Sequence, residues 1–190
     1  MKKIMFNDKY GLTQAVLEGR KMITRRAVPE ELLECITWYA QGDEADLIYR
    51  LIANSTYRVG EVVAIAQSYR DVYLNSGSIY KIGLLGRTAG WSNKMYVSAG
   101  DMPHHIKITN IRVERLQDIS DEDCLREGIY MDYDEHGGLY TTPYYDYPNN
   151  KHDGFDSPRE AFAVLIDKVS GKGTWDSNPL VWVYEFDLVD

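Results

Sequence analysis

Two rhythms of hydrophobic and polar positions run along this chain, and the switches between them mark its elements. Leu180, Trp182, Tyr184, Phe186 and Leu188 alternate with Val181, Val183, Glu185, Asp187 and Val189, the clearest strand in the sequence. After Gly60, Val63 and Ile65 share one face while Val62, Ala64 and Ala66 share the other. Apolar on both faces, this segment reads as a central strand. Residues 104 to 116 predict a long strand in which Ile106 and Ile108 lie on one face and Ile111 and Val113 on the opposite one. That phase switch predicts a bulge or bend near Asn110. Shorter strands are expected at Ile4 to Phe6, at Ile79 to Leu85, and around Trp91 and Met95 to Val97.

The helical rhythm appears in four places. Thr13 is placed to cap a short helix through Glu18, with Gly19 at its C-terminal stop. Residues 29 to 54 predict a helical hairpin: Pro29 with Glu30 and Glu31 opens the first helix, Gly42 breaks it and Asp43 caps the second. Ser120, three acids in the next turn and Gly128 bound a third helix, with Ile119 stapling onto Cys124. Ser157-Pro158-Arg159-Glu160 is a capping box opening a fourth, whose stripe is Phe162, Leu165, Ile166 and Val169. Between the last two, residues 130 to 155 show no period and hold six of the 15 tyrosines: Tyr130, Tyr133, Tyr140, Tyr144, Tyr145 and Tyr147. Such a loop is a lid, a binding loop or an insertion packed on its own domain, and we favour the last. Strands and helices do not alternate regularly, so a doubly wound parallel sheet is not expected. The order predicts an α+β fold: mixed, mostly antiparallel strands closing into a small barrel with peripheral helices.

Composition narrows the function. A chain of 190 residues suits one domain, here carrying the helical insertion at 29 to 54 and the tyrosine-rich loop at 130 to 155. A formal net charge of -8 argues against non-specific coating of nucleic acid, which needs broad phosphate neutralisation. The two cysteines, Cys35 and Cys124, are far apart and imply neither a disulfide framework nor a zinc site. His104 and His105 are neighbours on a strand and point to opposite faces, so no metal site and no cofactor are expected. The N-terminal stretch meets Asp8 before any apolar run forms, and no run of about 18 apolar residues follows, so the expectation is a cytoplasmic protein without a membrane partner.

Against that acidic background, Gly19-Arg20-Lys21-Met22-Ile23-Thr24-Arg25-Arg26 carries four cations in eight residues. It reads either as a strand start with a basic solvent face or as an anion or nucleoside pocket with Lys21 and Thr24 at its floor. A threonine hydroxyl is a weak nucleophile until a base takes its proton, and a lysine serves as that base only when burial or nearby cations lower its pKa. Positions three apart oppose each other on a flat strand, so joint action of Lys21 and Thr24 requires irregular backbone between them. Glu127, at a helix C-terminus where the dipole disfavours a carboxylate, needs a cation partner or a raised pKa, and Lys21 answers the first need.

The octapeptide resembles the G-x-K-x-x-T-x-R signature of ASCH domains, which share a barrel with PUA RNA-binding domains. The resemblance continues through Arg58-Val59-Gly60-Glu61-Val62-Val63, through Ile111 to Ser120 and on to Glu127-Gly128-Ile129, and through Asn178 to Phe186. Bacterial and phage-borne members share this layout, and the residues at 29 to 54 and 130 to 155 fall outside it. The resemblance implies a domain that binds RNA or a nucleoside in a basic cleft. One small bacterial member is an amidohydrolase that deacetylates acetylcytidine with a Lys, a Thr and a Glu, which by motif position are Lys21, Thr24 and Glu127 here. Arg20, Arg25 and Arg26 would then contact substrate. Gln67 stands where many phage-type members have an acid, and it would read a base edge while Tyr69 stacks. Binding alone, amide hydrolysis, and a phage-associated structural or interaction role are the three functions this leaves.

Overall fold

The computed structural model describes residues 1–74, 76–133, 143–150 and 154–189. In chain order these form β1 (Lys3–Ile4), α1 (Leu12–Leu17), β2 (Ile23–Ala27), α2 (Glu30–Ala40), α3 (Glu44–Ala53), β3 (Val62–Ile65), α4 (Tyr69–Leu74), α5 (Ile79–Leu85), β4 (His105–Arg115), α6 (Asp121–Arg126), β5 (Tyr130–Tyr133), β6 (Pro143–Asp146), α7 (Pro158–Ser170), α8 (Thr174–Ser177) and β7 (Leu180–Leu188). Five strands make one mixed sheet in the order β1-β3-β4-β7-β2, parallel only between β1 and β3.

The alternating residues of β7 pair with β4 along nearly its whole length, which places these two strands at the middle of the sheet. The register shifts between Ile108 and Asn110, where the phase switch predicts it, so Ile106, Ile108 and Ile111 all remain buried in spite of the extra residue. Among the described strands no ladder joins β1 to β2, so the sheet is open and the expected closed barrel is not seen. The sheet nonetheless curls until its edges meet through a side chain: Arg26 Nη2 on β2 donates to the Met5 carbonyl, just past β1, at 2.6 Å.

The hairpin α2–α3 follows its capping signals. The Asp43 carboxylate accepts from the Ala45 and Asp46 amides, and Leu51, Ile36 and Ala40 bury the inner stripe. The Leu51 carbonyl accepts from Trp182 Nε1 at 2.8 Å, pinning the hairpin to β7. Ser120 and Ser157 cap α6 and α7 as expected, through the amides of Asp123 and Glu160.

Three local expectations give way. Residues 79 to 85 are helical rather than extended, because a short apolar run carries no period that separates the two. Residues near Trp91 and Met95 form 3₁₀ turns at Ala89–Trp91 and Lys94–Tyr96, not a strand. Thr13 does not cap α1, whose N-cap is Gly11. Its hydroxyl is used instead to hold the Phe6 carbonyl and the Asp8 carboxylate. In the tyrosine-rich stretch, β5 and β6 pair as a two-stranded ribbon, and Tyr147 is fully buried between Tyr10 and Phe155. Tyr140 lies outside the described residues.

Candidate functional site

Glu127 is the meeting point of the predicted residues. It is the C-cap of α6, and Gly128 follows at φ 104°, a conformation that turns the chain sharply after the carboxylate. Lys21 arrives from the other side. Gly19 ends α1 at φ 71°, the amides of Arg20 and Lys21 both donate to the Ala15 carbonyl, and the Met22 amide bonds the Arg126 carbonyl at 2.9 Å. These bonds hold residues 20 to 22 outside any regular element before β2 begins at Ile23, which is the irregular backbone that joint placement of Lys21 and Thr24 requires.

The Lys21 amine, only 2% exposed, donates to the Glu127 carbonyl at 2.8 Å and to Glu127 Oε2. Burial pushes this amine below the ordinary lysine value. The Glu127 carboxylate opposes that shift without cancelling it, and the charges of Arg26 and Arg25 add to it. The other carboxylate oxygen, Oε1, accepts from Arg25 Nη1 at 3.2 Å. Arg25 is buried and also bonds Glu114 Oε1 at 2.7 and 2.9 Å and Asp123 Oδ2 at 2.8 Å. Burial alone would lower its pKa, but Glu127 and Glu114 hold the guanidinium above the ordinary arginine value. Arg112 and Arg126 extend the knot to Glu114, Asp123 and Glu185.

Counted together, Lys21, Arg25, Arg112 and Arg126 face Glu114, Asp123, Glu127 and Glu185: four cations and four carboxylates. The charges of the octapeptide therefore do not form the basic cleft that their density implies. Arg20 pairs with Glu18 at the surface, and Lys21 and Arg25 are neutralised because a buried charge must be paired. Arg26, half-buried, makes no ion pair among the described residues, and it alone of the four presents an uncompensated charge.

A cavity of about 90 Å³ lies at the seam where the edges of the sheet approach. Its polar lining is Asn7, Lys21, Thr24, Arg25, Arg26, Glu127 and Ser170, and its apolar lining comes largely from Phe6, Leu12 and the α7 residues Phe162, Leu165, Ile166 and Val169. Thr24 is buried, and among the described residues its hydroxyl has no hydrogen-bond partner. Three residues separated by up to 106 positions in sequence are thus brought to one cavity, with a pKa-lowered amine and an uncommitted hydroxyl.

The other predicted contacts lie elsewhere. Tyr69 is buried in a second, smaller core with its hydroxyl bonded to Asp101 Oδ2 and the Ser98 amide. Gln67 lines a separate cavity with Asp8, Thr13 and Asp71. Neither lines the cavity at Lys21, and Arg20 does not either. Sequence reading passed over Glu114, Asp123, Arg112 and Glu185. The one available signal was the i, i+2 spacing of Arg112 and Glu114, which puts opposite charges on one face of a strand. Among the described residues no cluster of three His, Cys, Asp or Glu is arranged to hold a metal, and no helix is long and apolar enough to cross a membrane.

Comparison with known proteins supplies no family assignment: no family model matches the chain, and neither characterised proteins nor solved structures give a match.

Proposed function

We propose that the seam cavity binds an acylated nucleoside of the cytidine type and hydrolyses its amide bond. The reading treats the chain as an ASCH-type domain whose curled sheet corresponds to a PUA-like barrel, with the cavity at the point of closure. What supports it is the convergence of Lys21, Thr24 and Glu127 on one small cavity, the amine lowered by burial and the hydroxyl free to react. A volume of about 90 Å³ takes the reacting end of a ligand and a few waters rather than a folded RNA.

In this scheme Lys21, whose amine burial makes easier to deprotonate, first gives up a proton and then accepts the Thr24 proton as the hydroxyl oxygen adds to the acyl carbon. The carbon–nitrogen bond then breaks, and the departing amine takes the proton back from Lys21. Water cleaves the acyl-threonine ester, restoring the hydroxyl and releasing the carboxylic acid. Glu127, held by Arg25, fixes the amine and stabilises it while it is protonated. Arg26 supplies the remaining positive charge for a carbonyl or phosphate oxygen of the ligand.

A second reading, recognition of RNA or a nucleoside without turnover, is favoured by one observation. The Lys21 amine already donates to two Glu127 oxygens, a geometry suited to a structural ion pair. Incubation with acetylcytidine separates the two. Hydrolysis predicts cytidine release by the wild-type chain and its loss in Lys21→Met, a variant of similar length that removes the amine. Binding without release supports recognition alone, and full turnover by Lys21→Met overturns the lysine mechanism. Far-ultraviolet circular dichroism of the variant confirms that its fold is retained.

A further inference from the structure

The α2–α3 hairpin carries chemistry that neither the fold nor the seam cavity uses. Its inner stripe is fully employed: Ile36, Ala40 and Leu51 are buried and Trp182 anchors the Leu51 carbonyl. Its outward side is different. Glu31, Glu34 and Trp38 lie at i, i+3 and i+7, one exposed stripe on the side of α2 opposite Ile36 and Ala40. Trp38 is 74% exposed and Tyr49, on α3, is 71% exposed. Tyr39 is exposed as well, and its ring meets that of Trp38 edge-on with centroids 4.8 Å apart. α2 and α3 pack against each other, so Tyr49 is presented by the same hairpin as Trp38 and Tyr39.

Charge tells what would cover these rings. Residues 29 to 54 hold six carboxylates against a single arginine, a net charge of -5 within a chain total of -8. Arg50 is occupied by Asp46 at 2.5 Å. Exposed aromatic rings interspersed with carboxylates that, Asp46 aside, make no ion pair among the described residues suit guanidinium and ammonium groups, which stack on a ring face while bonding an adjacent acid. The same field repels a phosphate backbone.

We propose that the outward face of the α2–α3 hairpin is a docking surface for an arginine- or lysine-rich segment of a protein partner. The rigid mounting of the hairpin presents the rings without a folding cost on binding, and the acidic field steers a basic segment towards them. The proposal is independent of the reaction at the seam, since none of these residues lines that cavity.

Calorimetric titration of the full chain with a synthetic peptide of alternating arginine and glycine tests it. Binding is expected, weakening as ionic strength rises from about 0.05 M to about 0.5 M. The double variant Trp38→Ala/Tyr49→Ala, which leaves every charge in place, is expected to lose roughly five- to tenfold in affinity. Glu31→Gln/Glu34→Gln is expected to weaken binding and flatten its salt dependence. Absence of peptide binding overturns the proposal. So does equal affinity of the aromatic double variant, which would reduce the effect to bulk acidity. Binding of a single-stranded RNA oligonucleotide that the same double variant abolishes would also overturn it, by assigning the face to nucleic acid.

Discussion

The knot around Glu127 and the outer face of the α2–α3 hairpin are both dense in charge, yet they are built on opposite terms. In the knot, four cations meet four carboxylates, largely out of water, and nearly all of that charge is spent on holding side chains in place. On the hairpin, six carboxylates face one arginine at the surface, and most remain unspent. The sequence densest in cations therefore makes the less charged surface. Burial explains the difference: an ion withdrawn from water must find a partner, while an exposed one is solvated where it stands. Charge along a chain becomes a surface field only after buried pairs have been subtracted.

Acid should separate the two regions most strongly. Burial alone would raise the Asp123 carboxyl, but the Arg25 hydrogen bond and the charges of Arg25, Arg112 and Arg126 hold it below its ordinary 3.8. Glu185 likewise resists burial through Arg126 and Asn110 and stays below 4.5. Folded-state values below the unfolded ones mean that the unfolded chain binds more protons in this window. The stabilisation is thus complete above about pH 4.5 and is lost as pH falls through the lowered values. Urea midpoints measured against pH should stay level down to that point and then drop, with the knot opening while the hairpin carboxylates merely discharge.

Single substitutions grade the same contrast. Arg25→Ala strips a buried guanidinium from three carboxylates and should cost on the order of 3–5 kcal/mol in urea denaturation. A loss below about 1 kcal/mol would mean that the knot is solvated like a surface network. Ser120→Ala, which removes the cap of the helix that delivers Glu127, should cost about 1 kcal/mol. On the hairpin, Trp38→Ala and Glu34→Gln should leave stability within about 0.5 kcal/mol of wild type, since both side chains are exposed and neither belongs to the buried core.

Much of this architecture is legible in the order of residues. The alternation of β7, the phase switch at Asn110 and the caps at Asp43, Ser120 and Ser157 each encode a local geometry, and each is found where the pattern puts it. Residues 79 to 85 mislead because a seven-residue apolar run is equally compatible with strand and helix until tertiary packing chooses. Within the site, Glu127 stands at a helix C-terminus whose dipole calls for a cation beside the carboxylate, and Lys21 supplies it. Arg25 was legible as a charge but not as a buried one, because its three partners come from residues 114, 123 and 127, and only the paired sheet and α6 bring them together. Tyr69 shows the converse, an aromatic well placed in sequence for stacking that folding commits to a second core.

The most direct test of the seam as a reacting site is Thr24→Val, which replaces the hydroxyl by a methyl of similar size. Cytidine release from acetylcytidine is measured for this variant and for the wild type, with thermal unfolding as a check on the fold. A reacting hydroxyl predicts wild-type turnover and a fall of about 10²-fold or more in a variant that melts like wild type. Undiminished turnover by Thr24→Val, or no turnover by the wild type, would contradict it.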